Sequence, residues 1–309
     1  MEIDPLSDVL RLVKAEAVVT GGFSAGGPWA IRFPPAGKIK FFAVVRGACR
    51  AWFDGEPEAV TFGPGDVGLL TEQKPFVLAS DAGVPPVEAM TLFGPAPRNL
   101  ATIGDGGDFD YFGGHVLFDP AHAALLATVL PPWIHVRAAA PEATAFRALL
   151  AQLVEERTGQ RPGAQLATAQ LTQLLFIQIL RAHLKAAGPM PAGWLRAAAD
   201  PRLAPALRLM HGDPGRAWGL DTLARACGMS RTMFAAHFRS SAGIPPLTYL
   251  TEWRMRLARE ALRERRDPLA TIARALGYAS ESAFSNAFKR VTGQAPTAYR
   301  AAPSPPRSA

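Results

Sequence analysis

Two stretches near the C-terminus carry almost the same text: "ACGMSRTMFAAHFRSSAGIPPLTYL" at residues 226–250 and "LGYASESAFSNAFKRVTGQAPTAYR" at residues 276–300. Six residues of the first stretch recur unchanged 50 positions later: Ser230, Phe234, Phe238, Gly243, Pro246 and Tyr249. A seventh, Arg239, recurs as another basic residue, Lys289. Just upstream the offset is 49, so that Gly228 recurs as Gly277. A repeat that accepts an insertion only at a turn indicates a repeated structural unit.

Each copy predicts a helix-turn-helix unit. In the first copy, Asp221 is the expected N-cap of one helix, Gly228 its expected end and Ser230 the N-cap of the second helix. Phe234 and Phe238 lie four positions apart and form the inner face of that second helix. The second copy repeats these devices, with Pro268 at a first-turn position, Gly277 in the turn, Ser280 as the N-cap of the second helix, and Phe284 and Phe288 on its inner face. A short helix, a turn with Gly and a capped second helix are typical of DNA-binding proteins; a plain helical bundle with a duplicated hairpin is the alternative.

The outward faces of the two second helices carry small and polar side chains, which let a helix lie deep in a major groove. A plain bundle does not explain this composition. The predicted DNA-binding residues are Ser230, Arg231, Thr232, Ala235, Ala236 and Arg239 in the first copy, and Ser280, Glu281, Ser282, Ser285, Asn286, Lys289 and Arg290 in the second. Within this set, Arg239, Lys289 and Arg290 are expected to bind phosphates, and the other residues face base edges.

The segment between the copies, residues 246–266, predicts a linking helix with a buried stripe that includes Leu250 and Trp253. About 18 residues make a helix ~27 Å long, which can hold two recognition helices near the ~34 Å spacing of successive major grooves. Charge agrees, because residues 201–309 hold 17 Lys/Arg and 7 Asp/Glu, whereas residues 1–200 hold 16 and 19. Double-stranded DNA, contacted over two successive major grooves, is therefore the predicted partner.

The rest of the chain predicts two further regions. Residues 1 to about 135 contain short apolar runs between Gly, Pro and Asp clusters, a pattern that favours a sandwich or barrel. Residues 141–187 predict two helices. The second, from Ala164 to Lys185, is apolar on more than one face, which indicates a core or a dimer interface. The expected domains are 1–140 (sensor), 141–193 (helical pair and linker) and 194–309 (DNA binding, with a disordered tail from 302).

The 309 residues contain neither a secretory leader nor a run of eighteen apolar residues. We therefore expect a soluble, cytoplasmic protein with no membrane partner. The two cysteines, Cys49 and Cys227, share no metal-type spacing and are expected to be buried reduced thiols. A redox-sensing thiol is the alternative, since Arg50 beside Cys49 would lower a thiol pKa.

Residues 218–300 resemble the double helix-turn-helix domain of bacterial AraC/XylS-type transcription regulators. The resemblance rests on "LARACGMSRTMFAAHF", "YLTEWRMRLA", "IARALGYASESAFSNAFKR" and "TGQAPTAYR". It implies sequence-specific DNA binding and control of transcription, with RNA polymerase as a further candidate partner. One departure concerns Ala235 and Ala236, which stand where such proteins often carry a long polar residue. Base reading by the first copy is therefore expected from Arg231 and Thr232.

The stretch "TFGPGDVGLLTEQKPFVLASD", residues 61–81, resembles the turn and second motif of a cupin barrel. "GGPWAIRFP", "FFAVVRGACRAWFDG" and "LPPWIHV" fit the same subgroup of regulators. The implied fold class is α+β multidomain: an N-terminal cupin-like β-barrel, a helical linker and a C-terminal all-α double helix-turn-helix domain. Arg46, Trp52 and Phe76 are candidates for lining an effector pocket in the barrel, although core positions are the favoured interpretation of Trp52 and Phe76.

A cupin enzyme requires His and carboxylate ligands for its metal. At the corresponding positions this chain has Lys38, Lys40, Phe41, Phe42 and Phe76, and its six histidines are scattered: His115, His122, His135, His183, His211 and His237. We therefore predict no metal, no cofactor and no catalytic residue. The favoured function is that of a homodimeric regulator controlled by a small molecule. Two alternatives stay open: a metal-dependent cupin enzyme with a DNA-binding appendage, and an effector-independent regulator whose barrel only dimerises.

Overall fold

The computed structural model describes residues 4–35, 38–56, 58–72, 74–93, 99–119, 122, 124–140, 143–159, 161–186, 190–264 and 267–302. The chain divides into two compact units: a sheet unit of residues 16–117 and 130–189, and a helical unit of residues 1–15, 118–129 and 190–309. Residues 1–15 and 118–129, which the sequence alone places with the sensor, thus cluster with the C-terminal helices. Part of the predicted linker (187–189) and the predicted disordered tail from residue 303 lie outside the described residues.

The strands all lie in the sheet unit. Their bounds are β1 Glu16–Ala25, β2 Ala30–Phe33, β3 Ile39–Arg46, β4 Cys49–Phe53, β5 Val60–Phe62, β6 Val67–Leu70, β7 Phe76–Ala79, β8 Val87–Glu88, β9 Asn99–Ile103, β10 Phe109–Leu117 and β11 Trp133–Val136. One sheet has the order β11-β6-β3-β10-β1-β9 and the other the order β5-β4-β7-β2-β8. β9 and β8 run parallel to their neighbours β1 and β2, and the other pairs are antiparallel.

The helices of the sheet unit are α2 Ala89–Phe93, α4 Ala143–Thr158 and α5 Ala164–Lys185. Those of the helical unit are α1 Pro5–Leu12, α3 Ala124–Ala127, α6 Trp194–Ala199, α7 Ala204–Gly212, α8 Leu220–Ala226, α9 Arg231–Ala242, α10 Pro246–Glu264, α11 Leu269–Ala275, α12 Glu281–Thr292 and α13 Pro296–Ala301. Within the described part of the chain, every helix is too short or too polar to cross a bilayer.

The two sheets face each other across an aromatic core. Phe23, Phe42 and Phe109 come from one sheet, and Ile31, Phe53 and Phe76 from the other. β3 and β4 are neighbours in sequence but lie in different sheets, because the turn at Gly47 (φ +73°) redirects the chain. A Cβ at this position would lie 2.3 Å from the Asp108 carbonyl oxygen, so only Gly fits. The expectation of a closed barrel is thus corrected: the described strands form a two-sheet sandwich.

The helix α5 begins and ends where the sequence predicts. One face, which includes Leu175, Phe176 and Ile179, is buried against α4, β1 and β11. Leu166 and Leu174 are nevertheless 68% and 40% exposed. The apolar excess seen in the sequence is therefore only partly used within the chain.

The N-terminal helix α1 packs in the helical unit on α6, α7 and α10. It begins at Asp4, whose side chain accepts a hydrogen bond from the Leu6 N–H at 3.1 Å, and Pro5 suits the first helical position. The Asp8 carboxylate lies 3.4 Å from His211 Nδ1. The N-terminus of the chain thus contributes to the core of the unit that carries the repeats.

Candidate nucleic-acid interface

The first repeat forms a helix-turn-helix from α8 and α9. The Ser230 Oγ accepts a hydrogen bond from the Met233 N–H at 3.3 Å, which confirms the predicted N-cap of α9. Gly228 (φ +63°) and Gly243 (φ +79°) take the left-handed conformation at the ends of the two helices. The prediction that Asp221 is an N-cap is wrong, because Leu220 is already helical and Gly219 occupies the cap position.

The second repeat forms the same unit from α11 and α12. The Ser280 Oγ accepts a hydrogen bond from the Ala283 N–H at 3.1 Å, and Gly277 and Gly293 both have φ +80°. Pro268 is the N-cap of α11 rather than a first-turn residue. Equivalent sequence positions therefore carry equivalent local structure.

A repeated set of aromatic contacts positions both recognition helices, α9 and α12. Phe234, Phe238, Phe284 and Phe288 are all fully buried. The Phe238 ring packs edge-on against Tyr249 with centroids 5.6 Å apart, and the Phe288 ring packs against Tyr299 in the same way at 5.5 Å. Because the Phe face is held inward, the opposite face of each helix is turned to solvent.

The second repeat contacts the segment that leads into the first repeat. A Cβ on Gly277 would lie 2.2 Å from the Gly215 carbonyl oxygen, and a Cβ on Gly215 would lie 2.6 Å from that of Ala275. Arg254 of α10 donates hydrogen bonds to the carbonyl oxygens of Pro214 (2.6 Å) and Arg216 (2.8 Å). This close backbone approach orients the second unit against the segment that leads into the first. It could not be predicted from the sequence, because no local pattern pairs Gly215 with Gly277.

All thirteen predicted DNA-binding residues lie at the surface of the helical unit, and only Ala235 and Ser285 are half-buried. Arg239 lies in the last turn of α9, and Lys289 and Arg290 in the last turn of α12. Each recognition helix therefore offers a polar or small first turn and a basic last turn. This order suits contact with base edges first and phosphates later.

The first recognition helix differs from the second in its outward chemistry. Arg231 Nη1 lies 3.6 Å from the Asp221 carboxylate, with both side chains mostly exposed. Met233, which the sequence analysis missed, is 46% exposed in the first turn. Beside the helix lies a shallow apolar groove of about 370 Å³, lined by Leu220, Ala235, Ala236, Arg239, Pro245, Pro246 and Leu247. Met233 directly precedes the inward-facing Phe234 in the sequence, and this is the one signal that would have revealed Met233 as an outward residue.

The three candidate effector residues are not brought together. Arg46 is exposed and its Nε lies 2.8 Å from Asp110 Oδ2. Trp52 packs on the outer face of its sheet, against a cluster that includes Val77. Phe76 is buried between the sheets and its ring stacks on Phe33 with centroids 4.8 Å apart. Trp52 lies opposite Val77 in the β4–β7 ladder, and Phe76 is the residue before Val77, so Trp52 and Phe76 face opposite sides of that sheet.

Four of the six histidines have evident structural surroundings. His135 Nε2 lies 2.9 Å from Asp66 Oδ2, and His237 Nε2 lies 2.6 Å from Asp200 Oδ2. His211 Nε2 lies 2.8 Å from the Tyr249 hydroxyl, and its ring stacks on a tryptophan. His115 is opposite Lys40 in the β3–β10 ladder, where burial chiefly lowers its pKa to about 4.

His122 and His183 each have a buried ring nitrogen without a hydrogen-bond partner among the described residues, as does His211 at Nδ1, which lies 3.4 Å from the Asp8 carboxylate. For His122 this holds for both ring nitrogens. Burial lowers the pKa of His122 and His183. The ligand atoms of Asp119, His122 and Glu260 lie within 4.8 Å of one another, a grouping that the sequence analysis did not anticipate.

Both cysteines are free thiols. Cys49 is buried in the core between the sheets, where desolvation raises the pKa of its thiol to about 12. Cys227 is half-buried, and burial also raises its pKa. The suggestion that Arg50 lowers the pKa of Cys49 is thus wrong, because burial dominates over a neighbour in sequence that points to the other face of the strand.

Comparison with known proteins agrees with this architecture. A cupin family model matches residues 4–185, and a model described as "Helix-turn-helix domain" matches residues 223–302. The chain is 41% identical to an AraC-like transcription regulator of Streptomyces antibioticus, over 98% of this chain and 100% of that protein. It is 40% identical to one of Streptomyces lividans over the same shares.

Among solved structures, the DNA-binding domain of the global transcriptional factor AdpA, in complex with a target DNA, matches with 30% identity and a TM-score of 0.31. That match covers 33% of this chain and 91% of the AdpA domain. The two family models together with the Streptomyces relatives show that this chain belongs to the AraC family of DNA-binding transcription regulators and carries a cupin-like N-terminal domain.

Proposed function

We propose that one chain reads two successive major grooves of double-stranded DNA, with α9 in one groove and α12 in the next. The observation that carries the proposal is the repeated placement of an exposed outward face over a fully buried Phe pair. The linking helix α10 has 19 residues. At 1.5 Å per residue it is about 28 Å long, which is comparable with the ~34 Å between successive major grooves.

The two helices are proposed to read bases to different extents. In α12, Glu281, Ser282 and Asn286 are exposed, and Ser285 is half-buried beside them. Asn can pair bidentately with adenine, and Glu can accept from cytosine N4. Arg231 is the proposed guanine contact of α9. Its exposed pair with Asp221 belongs to a class worth about 0–1 kcal/mol, so the guanidinium is free to turn to DNA.

Binding-site selection with the full-length chain tests this division. The Arg231→Ala protein should relax base preference at one or two operator positions, at about 1–3 kcal/mol of lost discrimination. The Lys289→Ala protein should weaken all sequences about equally and lower the salt slope by about one unit. Arg137→Ala, an exposed change in the sheet unit outside the proposed dimer helix α5, is the matched control and should leave selection unchanged. A footprint confined to one groove, or an unchanged operator for Arg231→Ala, contradicts the proposal.

A homodimer is proposed through α5, because Leu166 and Leu174 are exposed apolar side chains eight positions apart on one helix. Replacing either with Glu should convert a dimer to a monomer in sedimentation equilibrium at micromolar concentration. Met90→Glu changes an equally exposed apolar residue of the sheet unit, 62% accessible, and should leave the dimer intact. A wild-type chain that sediments as a monomer contradicts the proposal.

Regulation without catalysis is supported by the interior of the sheet unit and by the regulator relatives. Lys40 Nζ lies 4.9 Å from the centroid of the Phe76 ring, at the positions where a cupin enzyme carries metal ligands. An ammonium and aromatic rings do not ligate a cation. Metal analysis of the purified protein tests this, since stoichiometric iron, manganese or zinc in the sheet unit would favour an enzyme. RNA polymerase and a small-molecule effector are the further proposed partners.

A further inference from the structure

The helical unit contains a cavity of about 390 Å³ beside the first recognition helix. This volume lies in the range of about 300–1,000 Å³ that is typical of small-molecule sites. Four segments form its walls: the set His122, Leu125, Thr128 and Val129; the start of α6; the end of α9 with Ile244; and α10. All four belong to one compact unit. The cavity thus touches the helix proposed to read DNA and the helix that links the two repeats.

The lining has an apolar side and a basic side. Leu125, Val129, Trp194 and Ile244 provide the apolar side, and Arg256 and Arg259 the basic side. Trp194 is fixed in place, because its Nε1–H donates a hydrogen bond to the Leu125 carbonyl oxygen at 2.6 Å. An amphipathic lining of this kind fits a ligand with an apolar body and one polar end.

Donors without partners lie at the basic side. Among the described residues, the buried Arg259 Nε and both ring nitrogens of His122 have no hydrogen-bond partner of normal geometry, and the Arg256 backbone, which approaches His122, raises the His122 pKa less than burial lowers it. His122 is only 2% exposed, and its Nδ1 is 3.7 Å from Asp119 Oδ2, too far for a hydrogen bond. Buried donors in native proteins are normally satisfied, so unsatisfied ones that border a cavity indicate an occupant.

The charges of the lining specify the sign of that occupant. Arg256 pairs with Glu252 at 3.1 Å, which leaves the Arg259 guanidinium as an additional positive charge on the wall. His122 is neutral at physiological pH, because burial chiefly lowers its pKa, and a neutral imidazole still offers one N–H donor. A single carboxylate can accept hydrogen bonds from both groups.

A divalent cation is the competing occupant near His122. The ligand atoms of Asp119, His122 and Glu260 are close enough together to suggest one. Both carboxylates are, however, already paired with cations: Arg263 Nη1 lies 3.1 Å from Asp119 Oδ1, and Lys14 Nζ lies 3.2 Å from Glu260 Oε1. These positive charges oppose a metal ion and favour an anion.

We propose that this cavity is the effector site of the regulator and binds a small organic monoanion, with its carboxylate on Arg259 and His122 and its apolar body against Leu125, Val129 and Trp194. An occupant would contact the end of α9 through Ala242 and Ile244. Ligand binding therefore changes the setting of the first recognition helix against α10 and with it the affinity for the first half-site. This consequence for DNA rests on the proposed function, whereas ligand binding itself does not.

The test is a titration of the full-length chain, without DNA, with phenylalkanoates from benzoate to 5-phenylpentanoate and with alkanoates from hexanoate to decanoate. The matched primary alcohols are the neutral controls. At least one carboxylate should raise the melting temperature in a concentration-dependent way and bind about tenfold or more tighter than its alcohol. The cavity proposal is wrong if no carboxylate binds with a Kd below about 1 mM, or if acids and alcohols bind alike.

Variants locate the binding. Arg259→Met and His122→Phe should each weaken the carboxylate about tenfold or more, whereas Arg274→Met, an exposed arginine outside the cavity, should not. Ala192→Phe narrows the mouth from an exposed position and should exclude the ligand without threatening the fold. Carboxylate binding that survives both Arg259→Met and Ala192→Phe lies elsewhere and overturns the proposal.

Two further arms separate the remaining explanations. Zn²⁺ that stabilises the chain when no carboxylate does, with the effect lost in Glu260→Gln, would identify a cation site instead. DNA affinity measured by anisotropy without ligand tests the proposed function alone, and the same measurement with the bound carboxylate should shift the Kd by about fivefold or more. A chain that binds DNA but no carboxylate therefore disproves only the effector site.

Discussion

Replacing Gly277 with Ala tests how the second helix-turn-helix unit is held against the segment that leads into the first. Gly277 has φ +80°, and an added Cβ would lie 2.2 Å from the Gly215 carbonyl oxygen. Real Cβ contacts stay beyond 3.0 Å, so the two backbones would have to separate by at least the difference. The left-handed conformation costs an L-residue about 1–2 kcal/mol, and forced separation of packed groups adds about 1–3 kcal/mol.

Gly228→Ala is the matched control for this change. Gly228 occupies the same turn position of the first repeat with φ +63°, and an added Cβ meets nothing within 4 Å. The Gly228→Ala change should therefore lower the free energy of unfolding only by the cost of the left-handed conformation, about 1–2 kcal/mol. Any effect of Gly→Ala on the unfolded chain is common to both variants and cancels in the comparison.

Urea unfolding of the full-length chain, followed by far-ultraviolet circular dichroism, measures the difference in the free energy of unfolding. The Gly277→Ala protein should unfold at a clearly lower urea concentration than Gly228→Ala, and its affinity for a two-groove operator should fall further. Equal destabilisation by the two changes would show that the approach of Gly215 to Gly277 does not hold the second unit against the segment before the first.

Three further outcomes are expected. Ser280→Ala should lower the free energy of unfolding by about 1 kcal/mol through loss of the cap, whereas the exposed Ser240→Ala should change it by less than about 0.5 kcal/mol; equal effects in urea unfolding would contradict the capping role. Burial lowers the pKa of Lys40 from 10.5 to about 8. The buried Lys40 ammonium therefore destabilises the folded chain fully below about pH 8, and this destabilisation is relieved as the pH rises towards 10.5. Urea midpoints should therefore rise across that window in the wild type and stay flatter in Lys40→Met, and parallel profiles would refute the assignment. The Cys49 thiol is buried with a pKa of about 12, so iodoacetamide should alkylate it only when the chain opens, and more slowly than Cys227. Mass spectrometry of the labelled protein measures both rates. Rapid labelling of Cys49 in the native protein would restore the redox-sensing alternative.

The candidate interface was largely predictable because its determinants are local. A serine cap, a Phe pair four residues apart and a glycine in the left-handed conformation each act within one or two helical turns, and each recurs at both copies. The prediction of an N-cap at Asp221 was wrong, because Gly219 occupies the cap position without a side chain that a sequence pattern could reveal. The prediction that Arg46, Trp52 and Phe76 line one effector pocket could not be made reliably from the sequence. The sheet that a strand joins, and the side on which each of its residues lies, depend on pairing partners far away in the sequence.

The sequence alone determined that the chain carries two helix-turn-helix units, a linking helix and a strand-rich partner region, because periodicity, capping and turn chemistry are written into short segments. Only the tertiary structure decided that the strands form two facing sheets, that residues 1–15 and 118–129 cluster with the C-terminal helices, and that Gly215 meets Gly277. It alone assembled the cavity between His122 and Arg259. Such features join residues far apart in the sequence, such as Gly215 with Gly277 and His122 with Arg259, and their contacts depend on three-dimensional packing that no local pattern of residues encodes.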